Sequence, residues 1–287
     1  MKICIVGLGL IGGSLAKAIK KNTHESCFGI DIDRGTIAGA LAQEAIDGEM
    51  TIDDLAGCDV VIVGLHPEAT IKFITENAGK FKKGGIVLDT CGVKGEIVRA
   101  VEGVCIENGV NFLGCHPMAG REFSGFDYST DDLFKGASYI ITPSENTPKM
   151  AIDLLSTLAC CMGFGKVVTA TPKQHDINIA FTSQLAHVVS NAYVKSPSLF
   201  NADGFSAGSF MDLTRVAKLN EYMWSSLFLC NKEALLFELN TIIDNLCEYR
   251  DAIGNDDVAK LRDILRDGRE RKEKSNELYA EHARRKV

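Results

Sequence analysis

His116 stands at the head of the stretch HPMAGREFSG (116–125), directly before Pro117. An imidazole is the side chain whose ordinary pKa lies nearest neutrality, so a neutral ring there can take a proton from a substrate hydroxyl. It ends the strand-like run FLGCH (112–116), and ligands of open α/β sheets gather at strand ends. Pro117 fixes the direction of the chain just after the ring. A structural histidine at a strand end is the other reading of the same residues. Cys115 precedes the ring, but neighbouring strand side chains point to opposite faces, which argues against a Cys–His nucleophilic pair.

A second group is built for phosphate. Gly7, Gly9 and Gly12 form G-x-G-x-x-G after the short run KICIVG and before a helical pattern reaching Lys21. The first glycine permits a tight turn, the second lets a pyrophosphate approach the backbone, and the third lets helix and strand pack closely. The helix N-terminus then receives the anion. Leu10 and Ile11, between the last two glycines, count with them as cofactor-binding positions. Asp31 ends a second strand, 31 − 12 = 19 residues past Gly12. A carboxylate there accepts bonds from ribose hydroxyls and repels a 2′-phosphate, so NAD is expected over NADP. Arg34 lies close by and could instead serve such a phosphate, or cover the adenine as a surface residue.

These residues need a frame. Strand-like runs recur at 2–7, 27–33, 60–65, 85–90, 112–116, 138–143 and 166–169, and helical stretches such as PEATIKFITENAGKF separate most of them. Strands alternating with helices predict an α/β Rossmann-type domain with a mostly parallel sheet. After Pro172 the texture becomes all-helical. One apolar pattern runs from Gln174 to Lys195, and Ser183, His187 and Asn191, four apart, make a polar line along it. That line is either a satisfied interhelical network or a binding wall. Asn220 reads as an N-cap for a helix that could run to Gly254, about 50 Å at ~1.5 Å per residue. Asn255, Asp256 and Asp257 would cap a further helix. The expected domains are 1–169, binding the dinucleotide, and 170–287, an all-α substrate and dimerisation domain.

Composition removes several classes. The formal net charge is −7, which gives nucleic acid no overall attraction, and no run approaches the roughly 18 apolar residues of a membrane span. The terminal HARRKV is basic but short. MKICIVGLGLIGGSL resembles a signal peptide until its missing cleavage site and its glycine motif are considered. The ten cysteines, apart from the adjacent Cys160 and Cys161, lie singly on apolar elements, and none has metal-ligand spacing; they read as buried, reduced thiols, consistent with a cytoplasmic protein and no metal.

HPMAGREFSG, with GLGLIGGSLAKA before it and DLTRVA…MW after it, resembles the prephenate and arogenate dehydrogenases of tyrosine biosynthesis. DTCGVKGEI (89–97) and HDINIAFTSQLAH (175–187) fall where that family has similar segments, and the likeness runs in order to about residue 240. The resemblance implies a Rossmann domain, a helical domain that forms a homodimer, and NAD-dependent oxidative decarboxylation of prephenate to 4-hydroxyphenylpyruvate. Arogenate is the alternative substrate. It implies that His116 accepts a hydrogen bond from the ring hydroxyl and that Arg215 holds a substrate carboxylate. His187 and Trp224 match residues near the substrate, Glu122 an acid that gates the pocket, and Ser183 shares the His187 face. Helix surface for Arg215 and core packing for Trp224 are the competing readings.

The chain departs from the family twice. Gly92 stands where many relatives carry a serine that orients the histidine, so a backbone amide, Thr90 or a water must replace that hydroxyl. Met211 stands where some relatives carry a lysine. Other readings are a β-hydroxy-acid or imine dehydrogenase of the same two-domain plan, and a dinucleotide-binding protein with an inactive site. The first would want a catalytic lysine on the long helix after residue 169, which offers His175, Ser183 and His187 and reaches lysine only at Lys195.

Overall fold

The computed structural model describes residues 1–121 and 123–284. Its first part alternates strands and helices: β1 (Lys2–Val6), α1 (Leu10–Asn22), β2 (Ser26–Ile30), α2 (Arg34–Ala42), β3 (Gly48–Glu49), β4 (Val60–Val63), α3 (Pro67–Asn77), β5 (Ile86–Asp89), α4 (Gly95–Glu107), β6 (Asn111–Pro117), β7 (Ser138–Thr142), α5 (Lys149–Cys161) and β8 (Lys166–Thr169). They form one eight-stranded sheet in the order β3-β2-β1-β4-β5-β6-β7-β8. Among the described residues only the β6–β7 pair is antiparallel. The 118–137 segment between those strands holds, among the described residues, a short 3-10 turn and no α-helix, and a parallel return needs a long crossover.

All four residues of β4 and of β5 are buried, as expected of central parallel strands covered on both faces. The two-residue period sorts side chains between two cores. Ile3, Ile5, Ile62 and Leu88 join Leu15 and Ile19 of α1 and Leu155 and Leu158 of α5 on one face. Cys4, Val6, Val61, Val63 and Val87 join Ile74 of α3 and Ile97 and Val101 of α4 on the other. At ~25 cal/mol per Å² of apolar surface, these layers hold the strand ends rigid beneath the loops that follow them. All ten cysteines are free. Six are buried, whereas Cys160 and Cys161 are exposed near the end of α5, so the expectation of burial fails for that pair.

The helical part comprises α6 (Pro172–Ile179), α7 (Leu185–Tyr193), α8 (Gly208–Thr214), α9 (Glu221–Cys230), α10 (Lys232–Gly254) and α11 (Val258–Arg284). A capping box starts α6: Thr171 Oγ1 accepts from the Gln174 amide, and Gln174 returns the bond to the Thr171 amide. The pattern expected to run unbroken from Gln174 widens at 180–184 into a π-turn, a device frequent at functional sites. Asn220 caps α9 as expected, its side chain accepting from the Met223 amide. The single helix expected from Asn220 to Gly254 is two helices. They meet at Asn231, a buried residue whose amide donates to Asp176 O at 2.9 Å and Gln184 Oε1 at 2.7 Å. Satisfying that buried amide outweighs one turn of regular helix.

The chain divides into two compact units, 1–235 and 236–287. In the second, Leu236, Ile243, Leu246 and Ile253 are exposed, and their 7-3-7 spacing puts them on one stripe of α10. Among the described residues no helix is long and apolar enough to cross a membrane.

Candidate active site

β1 delivers the glycine loop. Gly7 has φ +86°, and a side chain there would also strike Gly64 O at 2.8 Å. At Gly12 a Cβ would lie 1.9 Å from Gly7 O, so only hydrogen fits where α1 crosses the strand end. Around Gly9 the opposite holds: a Cβ there meets nothing within 4 Å. Gly9 is also the N-cap of α1 and lends its first amides no side-chain acceptor. Free amides, a helix dipole and open space suit a pyrophosphate. Leu10 and Ile11 open that helix.

At the end of β2, Asp31 Oδ2 accepts from the Leu8 amide at 2.7 Å and Oδ1 from the Asp33 amide at 2.9 Å. The carboxylate is thereby turned toward the glycine loop, where a ribose would lie. Arg34 is ion-paired with Glu49 of β3, which draws it away from a 2′-phosphate. Ile32 is fully exposed beside Asp31, an apolar surface for an adenine that went unread in the sequence.

His116 is the penultimate residue of β6, at the same carboxyl end of the sheet. Its Nε2 lies 3.8 Å from where a Gly92 Cβ would be, and Leu227 Cδ2 of α9 lies 3.7 Å from that point. Its Nδ1 is 2.8 Å from Nε2 of His175. His175, buried in the first turn of α6, places Nδ1 2.7 Å from Asp176 Oδ1. A second imidazole thus holds the ring from its Nδ1 side. Burial, then His175, then Lys94 hold the His116 pKa well below the ordinary 6.5. Burial also lowers that of His175, against the raising effect of the hydrogen bond it donates to Asp176.

Asp176 is itself fixed by backbone. Its Oδ1 accepts from the Lys94 amide at 2.8 Å and its Oδ2 from the Gly95 amide at 2.7 Å, at the start of α4. Lys94 and Asp89 form an ion pair with both side chains fully buried. Asp89 further accepts from the amides of Cys91 and Cys115. Removing one partner of such a pair costs about 3–5 kcal/mol. His175 was visible in the sequence only as a polar residue of its helix. The His-Asp doublet in the first turn after a capping box was the available signal.

The polar line on α7 forms a second group. His187 Nδ1 donates to Ser183 O at 2.8 Å, leaving Nε2 as an acceptor. The ring lies against Trp224 of α9, centroids 4.0 Å apart. Burial lowers its pKa, and the nearby Arg215 lowers it further against the raising bond from Ser183. Arg215 follows α8, is exposed, and makes no ion pair among the described residues. Asn191 ties the line to the same segment through Ala217 O at 3.0 Å. Gln184 bonds Leu227 O at 3.0 Å, which carries the wall toward His116. Ser183, His187, Trp224 and Arg215 are thus gathered near one another. Glu122 lies outside the described residues. Met211 is exposed on α8.

Two family models match the chain. One is described as prephenate dehydrogenase, nucleotide-binding domain, over residues 15–168. The other is prephenate dehydrogenase, dimerization domain, over 171–267. A prephenate dehydrogenase of Bacillus subtilis is 31% identical over 90% of this chain and 72% of its own length. A cyclohexadienyl dehydrogenase of Zymomonas mobilis is 30% identical over 89% of each chain. A solved prephenate dehydrogenase from A. aeolicus, in complex with hydroxyphenyl propionate and NAD+, superposes with a TM-score of 0.84 at 28% identity, covering 96% of this chain and 98% of its own. The two matched regions, 15–168 and 171–267, together cover well over half of the chain, and the chain belongs to the prephenate dehydrogenase family.

Proposed function

We propose that this protein carries out the NAD-dependent oxidative decarboxylation of prephenate to 4-hydroxyphenylpyruvate. The observation that carries the reading is the placing of His116 at the end of the sheet shared with the glycine loop, with its Nε2 3.8 Å from where a Gly92 Cβ would lie. NAD, held by Gly7, Gly9, Leu10, Ile11, Gly12 and Asp31, supplies the hydride acceptor. His116 takes the proton of the ring hydroxyl as that carbon is oxidised. Carbon dioxide then leaves and the ring becomes aromatic, so the protein's task is to orient the ring and manage one proton.

Arg215 holds a substrate carboxylate through paired bonds. His187, Ser183 and Trp224 line the same wall, and Glu122, outside the described residues, matches the family's gating acid. Arg34, engaged with Glu49, favours NAD over NADP. Residues 1–169 bind the dinucleotide and 170–287 bind substrate and dimerise. The exposed stripe on α10 supports a homodimer, and free thiols support a cytoplasmic location. Steady-state formation of NADH at 340 nm tests the reading, with prephenate and arogenate each paired with NAD and NADP. Prephenate with NAD should give the highest kcat/KM; a higher value with arogenate would reassign the substrate, and no turnover with either would end the proposal.

A further inference from the structure

Two neutral imidazoles in hydrogen-bond contact must divide their roles, one giving N–H and the other a lone pair. At the 2.8 Å contact between His116 Nδ1 and His175 Nε2, the division is set from outside the pair. Asp176 already accepts from two backbone amides, those of Lys94 and Gly95. Amides cannot reverse direction, so the carboxylate cannot turn or present a donor. The nitrogen facing it, His175 Nδ1 at 2.7 Å, must carry hydrogen. His175 is buried and stays neutral, which leaves its Nε2 bare. His116 Nδ1 must then be the protonated nitrogen of its ring, and His116 Nε2, facing Gly92 and Leu227, the bare one.

We propose that His175 and Asp176 are positioning residues that fix the tautomer of His116, so that its Nε2 always meets the substrate as a proton acceptor. The arrangement works without moving a proton along the chain. When the substrate hydroxyl gives its proton to Nε2, His116 becomes an imidazolium. Its Nδ1–H continues to donate to His175, and the carboxylate behind favours the new charge. The same chain explains how the site functions with glycine at position 92. A hydroxyl there would meet the ring from the Nε2 side, whereas the ring is oriented through Nδ1.

The inference rests on the proposed reaction for its catalytic consequence alone; the tautomer is measurable without substrate. Long-range 1H–15N spectra of the 15N-histidine-labelled protein, with His116→Asn to assign the signal, should show His116 protonated at Nδ1 and bare at Nε2. The reverse tautomer, or an even mixture, would overturn the proposal. His175→Gln keeps an acceptor near the position of Nε2 and should preserve both the tautomer and most of kcat. His175→Leu removes the acceptor; it should give mixed tautomers and lower kcat by roughly 10²-fold, much of what a general base contributes, with the KM for NAD unchanged. If His175→Leu melts earlier yet keeps the Nδ1–H tautomer and normal kcat, the residue is structural and the proposal fails. A correct tautomer in a wild type that yields no NADH would instead sink the reaction and leave the tautomer assignment standing.

Discussion

The molecule holds two imidazoles beside its candidate substrate wall, and it orients them by different means. His187 is fixed within its own helix, donating to the carbonyl of Ser183 four residues back. Its neighbours are the Trp224 indole and the Arg215 guanidinium. His116 is fixed by residues about sixty positions away, through His175 to a carboxylate seated at the start of α4. A local anchor suffices to present an acceptor at a binding surface. A ring that must take a proton and carry the resulting charge gains from a buried carboxylate behind it. The two surroundings fit the roles proposed for the rings, binding for His187 and proton transfer for His116.

The sharpest break in that contrast is His116→Asn, which keeps some hydrogen bonding and cannot take the proton. It should lower kcat by roughly 10²–10⁴ while leaving NAD affinity intact; a mutant with wild-type kcat would hand the role to His187. Arg215→Ala tests the other side. It should raise the substrate KM about 30-fold, equivalent to about 2 kcal/mol for a charge-assisted bond at an exposed site, with kcat little changed. A loss confined to kcat would mean that the two groups do not divide binding from chemistry.

Acidity should separate them more gently. The unfolded rings bind protons near pH 6.5, whereas folded His116, His175 and His187 all bind them only at lower pH. The unfolded state therefore holds more protons just below that value, so stability is full above pH 6.5 and falls as the pH drops through it, by at most about 1.4 kcal/mol per pH unit for each ring. Urea melts across pH 5 to 7 should show this, with a shallower fall in His116→Asn; an equal slope in both would count against the depressed pKa of that ring. Smallest of all should be Gly92→Ser. A Cβ there makes only ordinary contacts of 3.7–3.9 Å, so the variant should fold normally and change kcat/KM by only a few-fold, measurable against prephenate.

The contrast also marks what could be read in advance. The glycine loop, Asp31 and His116 were legible because each depends on short spacing at a strand end. The line of Ser183, His187 and Asn191 was legible because four-residue spacing is local to a helix. The His116–His175 contact was not, since it joins a strand to a helix 59 positions on. Hydrophobic periodicity likewise carried straight through Asn231 and residues 180–184, because a break made by a buried amide, or one residue added to a turn, leaves the apolar pattern almost untouched. The antiparallel β7 has its own sequence signal, a stretch from 118 to 137 without a helical pattern.

Gly95 lies so near Asp176 that a methyl group on it would meet Oδ2 at 2.8 Å. The carboxylate thus serves two masters with one pair of oxygens, closing the start of α4 and backing His175. In a population of random variants, substitutions at Asp176 would be lost from the soluble pool before their turnover could be compared. A survey scored by abundance would file the position with the core, and one scored by activity would file it with the catalytic residues. The two scores would coincide there, and they would part at His116, where the fold asks far less of the side chain than the chemistry does.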